Sequence, residues 1–271
     1  MLAATVAVPD PSCPPSTTQQ AIELSNGSVT RSCINTRGFP EGPMWNRDAD
    51  GRIRWLERYR GGRPHGLWVR FSRQGSPRER REYEDAKLDG PWELYDDQGR
   101  AEVSGRFEQG KKVGVFEGRQ RSGKLDYVAR FREGVPAGEW LFYDRNEKVE
   151  ATCRYGVSGK VEGRTIRGER RELQRIDVVE RLAQLKSPVK FCYDRELALR
   201  PTLARQGSVE FRFLVTPAGL TAAIELERST FSDVGLETCI ADILQQTKFP
   251  RLLTCEMVEV AFPFELSASQ P

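Results

Sequence analysis

The ten residues GPWELYDDQG, at positions 90–99, contain the pattern that decides the fold of this chain. A glycine opens the segment, a tryptophan follows two positions later, a tyrosine three positions after that, and a second glycine closes it. The short aromatic run predicts a β-strand, and Asp-Asp-Gln-Gly predicts a tight turn in which glycine supplies a positive φ. Residues 101–107 then predict a return strand, so the segment indicates a β-hairpin.

The same hairpin pattern recurs with a period of 24 residues. A fixed period of this length is typical of a repeat array in which each unit packs on its neighbours. The opening glycines are Gly42, Gly66, Gly90, Gly114 and Gly138, the rings that follow them are Trp68, Trp92, Phe116 and Trp140, and the closing rings are Tyr59, Tyr83, Phe107, Phe131 and Tyr155. The sequence therefore predicts an elongated single-layer sheet of β-hairpin repeats over residues 38–163.

Two interpretations of the repeated tryptophans are open at this point. Rings that recur in register stack as ladders along an array, and such ladders normally form its core. Alternatively, Trp68, Trp92 and Trp140 line an exposed groove, which makes them candidate partner-binding residues. On the return strands, Cys153 occupies the register position of Ala129, and we interpret it as a small buried thiol.

Composition and motifs argue against several functional classes. Charged residues make up 30% of the chain while the net charge is only +3, so opposite charges are interleaved as on a solvated surface. A nucleic-acid-binding protein usually has a concentrated basic stripe, and we predict no nucleic-acid partner. The single histidine, His65, lies beside a repeat turn and is interpreted as solvated. Because the sequence has no nucleotide, zinc-protease or hydrolase motif, we predict a non-enzyme with no catalytic, cofactor-binding or metal-binding residues.

Residues 1–37 are rich in proline, serine, threonine and asparagine and predict a flexible leader. Six cysteines occur without a C-x-x-C motif, and two of them, Cys13 and Cys33, form a candidate disulfide within the leader. The first residues have neither the basic region nor the long apolar run of an export signal. Any such signal is therefore absent from this chain or truncated.

After the array, the hydrophobic period changes. Residues 164–172 are highly charged, which indicates a linker or the start of a helix. Apolar residues at helical spacing from Leu173 predict a first helix. Ser187 followed by Pro188 predicts the N-cap and first position of a second helix that ends near Leu199.

The final residues combine strand and helix patterns. Alternation predicts a hairpin over residues 209–227, an amphipathic pattern predicts a helix over 233–246, and renewed alternation predicts a strand over 258–264. The order α-α-β-β-α-β predicts a small α+β domain over residues 173–267, with helices on one side of an antiparallel sheet. The fold class is therefore mainly β plus α+β.

The repeat resembles the MORN-type repeat, especially the bacterial variant in YwqK antitoxin-like proteins. The phrase Gly-x-x-x-Gly-x-Trp-x-x-Tyr-x-x-x-Gly carries this resemblance over residues 38–163. It implies one extended sheet of hairpins that contacts proteins or lipids, and it implies no catalysis.

Residues 173–267 resemble the AgmX/PglI C-terminal domain, which is similar to the C-terminal domain of TonB. The matching segments are 191–197, 207–213, 217–219, 229–230, 239–240, 248–250 and 262–264. The resemblance implies an envelope protein. Cys192 and Cys239 match the paired cysteines of that pattern, so it also implies a disulfide between them. Pro188 and Cys255 depart from the pattern.

These features together predict a non-catalytic scaffold of the cell envelope or periplasm that uses the array as a protein-docking surface. We expect no cofactor, an envelope protein whose identity is unknown as partner, and a membrane surface as a second candidate partner. One alternative is a cytoplasmic antitoxin-like binding protein, whose cysteines would be reduced. The other is a TonB-like coupling component of an envelope or gliding machine, which would need a membrane helix and a long proline-rich spacer.

Overall fold

The computed structural model describes residues 11–24, 27–167, 172–200, 202–252 and 254–268. Within these residues the protein is mostly β, with an antiparallel sheet of fifteen strands, a second sheet of three strands and three helices. The chain divides into two compact units, Met1–Asp126 and Tyr127–Pro271. Each unit is described by itself below.

The first unit consists of successive antiparallel strands. They are β1 (Thr17–Glu23), β2 (Val29–Asn35), β3 (Pro40–Arg47), β4 (Ile53–Arg60), β5 (Arg63–Pro64), β6 (Gly66–Phe71), β7 (Pro77–Glu84), β8 (Lys87–Tyr95), β9 (Ala101–Glu108), β10 (Lys111–Arg119) and the start of β11 (Leu125–Arg132). The hairpin predicted from residues 90–107 is confirmed, because Gly90 pairs with Phe107 and Tyr95 with Ala101.

The turn of this hairpin shows why the repeat needs its second glycine. Gly99 has a φ of 76°, and its N–H donates to the Asp96 carbonyl at 3.0 Å. The Asp96 carboxylate accepts the N–H groups of Gln98 and Arg100, each at 2.9 Å. These contacts, above all that from the Arg100 backbone, lower the pKa of Asp96. The aspartate therefore closes the turn that the glycine permits.

The prediction of a flexible leader over residues 1–37 is wrong for its second part. Strands β1 and β2 form a regular antiparallel ladder, and β2 in turn pairs with β3. The prolines precede β1, so they do not interrupt it. The candidate disulfide between Cys13 and Cys33 is confirmed and ties the segment before β1 to β2. Residues 1–10 lie outside the described part of the chain.

The second unit contains the last hairpins and the α+β region. Its elements after β11 are β12 (Val135–Pro136), β13 (Gly138–Tyr143), β14 (Val149–Tyr155), β15 (Val161–Ile166), α1 (Arg175–Ala183), α2 (Lys186–Leu199), β16 (Gln206–Val215), β17 (Thr221–Ser229), α3 (Val234–Gln246) and β18 (Val258–Ser267). Part of the linker predicted at 164–172 is instead strand: Arg164 in β15 pairs with Cys153 in β14. Residues 168–171 are outside the described residues.

The predicted order of the α+β region is confirmed. Its sheet has the strand order β17-β16-β18. The core of the region includes Leu182, Val189, Tyr193, Val209, Phe211, Phe213, Leu236, Ile240, Leu244 and Phe249. Two members of the apolar pattern predicted for the first helix, Ile176 and Val179, are 59% and 50% exposed. That helix is therefore only partly covered.

The helix starts differ in one respect from expectation. Helix α2 begins at Lys186, so Ser187 lies inside the first turn and the prediction that it caps the helix is wrong. Pro188 fits there because the first N–H groups of a helix have no intrahelical acceptor. Helix α3 starts after Asp233, whose carboxylate accepts the Leu236 N–H at 2.9 Å. No helix in the described ranges is long and apolar enough to cross a membrane.

Candidate functional site

The three tryptophans considered as partner-binding residues are buried. Trp68, Trp92 and Trp140 are 3%, 1% and 0% exposed. In the first unit, the ring centroid of Trp68 lies 5.5 Å from that of Tyr59 and 4.6 Å from that of Tyr83. The interpretation as an exposed groove is therefore wrong, and these rings form core ladders.

The second unit repeats the same arrangement. The ring of Trp140 lies 5.0 Å from the rings of Phe131 and Tyr155. Its indole N–H donates to the Arg130 carbonyl at 2.8 Å, as that of Trp68 donates to the Arg58 carbonyl at 3.0 Å. A buried ring whose N–H is already satisfied has no group left for a partner. Any docking surface must use other residues.

Sequence reasoning missed a buried ionic cluster in the first unit. Glu79 and Arg81 in β7 are 3% and 1% exposed and form an ion pair at 2.8 Å. The Trp92 indole N–H donates to the same Glu79 oxygen at 3.3 Å. Arg70 lies 3.8 Å from both Glu79 and the buried Glu57. Each carboxylate thus faces a guanidinium.

Aromatic groups complete this cluster. The Tyr59 hydroxyl donates to Glu57 at 2.7 Å, and the Arg81 guanidinium lies 5.3 Å from the Trp68 ring centroid. Because the two acids and two arginines balance, the arrangement fits internal charge pairing rather than proton transfer. The 24-residue register offered a signal, since Glu57 and Arg81 occupy the core column of Ala129 and Cys153.

Lys112 is a second buried charge that the sequence pattern did not identify. Lys112 is only 3% exposed. Its ammonium lies 5.8, 4.7 and 5.5 Å from the ring centroids of Trp92, Phe107 and Phe116. Burial lowers the pKa of Lys112 to about 7. In the repeat register it replaces the buried Pro64. A cation at a core position of the array thus sits among the core rings.

His65 is less solvated than expected. It is half-buried, and its Nδ1 lies 3.7 Å from Glu84 and 3.9 Å from Asp85 on the turn between β7 and β8. These three residues form a group that could hold a metal ion, since one ligand atom of each lies within 4.8 Å of the others. Both carboxylates are exposed, and the contacts are those of an imidazole beside two acids.

The interpretation of Cys153 as a buried thiol is wrong, because Cys153 forms a disulfide with Cys255. Cys255 belongs to the loop before β18, and this loop packs on β13 and β14 within the second unit. Arg251 forms an ion pair with Glu150 at 2.6 Å and donates to the Tyr143 carbonyl at 3.0 Å. These contacts place the two sulfur atoms together. The partners are 102 residues apart, so spacing alone could not identify them.

Tyr155 adds a further contact at this junction. Its hydroxyl donates to the Cys255 carbonyl at 2.7 Å, and burial raises the pKa of this tyrosine. The proton that makes the hydrogen bond therefore stays in place at neutral pH. The last hairpins and the α+β region are joined by a covalent bond, an ion pair and a buried hydrogen bond.

All six cysteines of the chain are paired. The expected disulfide between Cys192 in α2 and Cys239 in α3 is confirmed and joins the two helices. Together with the other two disulfides, it leaves no free thiol. Disulfides persist in oxidising compartments, so the protein belongs to an extracellular or periplasmic type of environment.

Comparisons with known proteins add little. No protein-family model and no curated protein matches the chain. One similar crystal structure is that of accessory secretory proteins 1, 2 and 3 of Streptococcus pneumoniae, with a TM-score of 0.17 and 14% identity over 46% of this chain and 18% of that chain. Another is a mutant of TarM from S. aureus bound to fondaparinux, α-GlcNAc-glycerol and UDP, with a TM-score of 0.19 and 12% identity over 50% of this chain and 21% of that chain. Each match spans about a fifth of the other chain, and TM-scores this low carry no argument.

Proposed function

We propose that this protein is a non-catalytic interaction scaffold of the bacterial periplasm or cell envelope, with the hairpin sheet as its protein-docking surface. The observation that carries the proposal is the division of the sheet into two faces. Along the strands, the inner positions hold the rings and buried charges, whereas outer positions such as Arg58, Arg106 and Glu108 are exposed. The resemblance to MORN-type repeats agrees with this use.

The buried charges support the same reading. Glu79, Arg81 and Lys112 are the polar groups in the most unusual surroundings of the first unit, and each contacts rings or opposite charges of the same unit. Groups held in this way stabilise one arrangement of the core. The polar outer face then remains as the surface on which another protein can dock.

The disulfides support the proposed compartment. A cytoplasmic antitoxin-like protein would keep its cysteines reduced, because cytoplasmic thiol systems reduce most disulfides. Here three disulfides join six cysteines, and one of them links β14 to the loop before β18. The resemblance of residues 173–267 to an envelope domain agrees with an exported protein.

The docking role is tested by site-specific photo-crosslinking in the native cell. A photoreactive residue replaces the exposed Arg58 or Arg106 on the outer face, and a matched control replaces the exposed Glu225 in β17. We expect an adduct of one defined mass from both positions on the sheet and none from Glu225. No adduct from either sheet position would contradict the docking role.

A further inference from the structure

We infer that strand β1 is an interface at which two copies of this chain pair their sheets about a two-fold axis. Within the described residues, β1 ends the strand order of the large sheet and pairs with β2 alone. An exposed sheet edge is a template for another strand. This inference goes beyond the proposed docking role on the outer face and does not depend on it.

The hydrogen-bond pattern shows which backbone groups of β1 are available. The Leu24 N–H donates to the Ser28 carbonyl, so Leu24 directs its backbone groups towards β2. Backbone direction alternates along an antiparallel strand. The N–H and C=O groups that point away from β2 are therefore those of Thr17, Gln19, Ala21 and Glu23. We call these four residues the β1 edge.

Strand β1 differs from the other sheet ends because its first six residues carry none of the usual protection against pairing with another strand. Its sequence TTQQAIE has no proline, its pairing with β2 has no bulge, and its only charge is Glu23 at the end. Natural proteins normally protect edges with charges, prolines or bulges. Such protection is absent from a seven-residue strand whose side chains are mostly exposed.

The remaining three ends are protected. Strand β15 carries Glu162, Gly163 and Arg164 and has an irregular register with β14. Strand β17 has two register shifts and several charged residues, and strand β18 contains Pro263. Three of the four strands at sheet ends in this chain are protected and β1 is not, so unprotected edges are not a general feature of the protein.

The β1 edge is also held in place for pairing. The Cys13–Cys33 disulfide anchors the segment that leads into β1, and the Thr17 hydroxyl donates to the Pro14 carbonyl at 2.7 Å. Terminal strands usually fray. A strand that is already ordered loses less conformational freedom on binding, which favours association.

A second copy fits this edge because β1 is complementary to itself. Antiparallel pairing centred on Gln20 places Thr17 opposite Glu23 of the partner copy and Gln19 opposite Ala21. All four residues of the β1 edge then exchange backbone hydrogen bonds across the axis. Gln20 faces its own equivalent, and the single charge lies opposite a neutral threonine. An isologous interface requires this kind of self-complementarity.

The test measures the mass of the full chain against concentration by analytical ultracentrifugation. We expect the wild type to shift from one to two chains. Gln20→Lys and Gln20→Glu each place like charges opposite one another and should weaken the dimer about fivefold, while their equimolar mixture should restore it. Ala21→Pro removes an N–H that points away from β2 and should weaken dimerisation about tenfold or more.

Circular dichroism checks that each variant folds. If Ala21→Pro does not fold, the two charge variants at Gln20 still test the inference. A wild type that stays a single chain at every concentration overturns the inference and leaves the edge to a strand of another protein. A dimer that Gln20→Lys leaves unchanged also overturns it. In either case, crosslinks from Arg58 and Arg106 would still support the proposed docking role.

Discussion

Lys112 is the residue whose surroundings depart furthest from its chemistry. A lysine ammonium is strongly hydrated in water, and burial disfavours its charged form. The faces of Phe107 and Phe116 offset part of this effect through cation–π attraction. Burial is the larger influence, so the pKa of Lys112 is lowered from 10.5 to about 7. The first unit therefore contains a group that titrates near neutral pH.

This shift predicts a pH-dependent stability. Between pH about 7 and 10.5, the unfolded chain binds a proton at Lys112 that the folded chain has released. Stability therefore rises with pH across this window, by up to about 1.4 kcal/mol per pH unit. We expect Lys112→Met to remove this rise, so that its advantage over the wild type is largest near pH 7 and shrinks towards pH 10.

Urea unfolding at several pH values measures this difference. Lys111→Met is the matched control, because Lys111 is the exposed neighbour on the same strand. It should follow the wild-type pH dependence. Wild type and Lys112→Met curves that stay parallel over the whole window would show that the lysine is not buried as described.

The ionic cluster could have been inferred in part. The repeat register places position 81 in the same column as Gly105, Ala129 and Cys153, where an arginine is out of place. The pattern therefore marks the anomaly. It does not show that Glu79 is the partner, because that contact depends on how side chains turn within a packed core. The same limit applies to the rings around Lys112.

At the scale of elements, the hairpins were predictable because each turn and each ring recurs in register. The strand β1 was not, because TTQQAIE has neither apolar alternation nor aromatic residues. The last three residues of β15, 164–166, were predicted to belong to the linker for the same reason, since their charges hide a ladder of backbone hydrogen bonds with β14. Backbone pairing at a sheet end needs no side-chain pattern, so the sequence does not reveal it.

Gly105 illustrates how one position controls the packing of a hairpin. A Cβ atom added there would lie 2.3 Å from the ring of Phe116, which is fully buried. The ring cannot move away without disturbing the contacts with Trp92 and Phe107. The glycine is therefore required by space and not by its backbone conformation.

We predict that Gly105→Ala destabilises the protein by about 1–3 kcal/mol, the usual range for overpacking a core. Chemical denaturation measures the loss. Ser104→Ala is the control on the opposite face of β9 and should change stability by less than about 0.5 kcal/mol. Equal effects of the two substitutions would mean that the Phe116 ring has room to move.

At the scale of the whole molecule, the disulfides connect distant parts of the sequence. Cys153–Cys255 joins the repeat region to the α+β region within the second unit. Cys192–Cys239 lies inside the loop that the Cys153–Cys255 bridge closes. Residue patterns predicted the nested pair only through a resemblance, and they gave Cys153 no partner. The outer pair exists because the loop with Arg251 folds onto β14.

Removal of the outer disulfide has a predictable effect on stability. The nested bridge shortens the loop that Cys153–Cys255 closes, so the chain-entropy model gives a loss of about 4 kcal/mol for the double substitution Cys153→Ala, Cys255→Ala. Thermal and chemical unfolding would measure it. The bridge between Cys13 and Cys33 closes a much shorter loop, so the double substitution Cys13→Ala, Cys33→Ala should cost about 1 kcal/mol less. A larger loss from the Cys13–Cys33 pair would contradict the proposed importance of the junction.

The most direct test of a disulfide-bonded scaffold is non-reducing peptide mapping of the native protein, alkylated at the moment of isolation. The account predicts three linked peptide pairs, Cys13 with Cys33, Cys153 with Cys255 and Cys192 with Cys239, and no alkylated cysteine. Alkylated Cys153 and Cys255 would remove the covalent junction between the repeat and α+β regions. Alkylation of all six cysteines would contradict the oxidising compartment and favour a cytoplasmic binding protein.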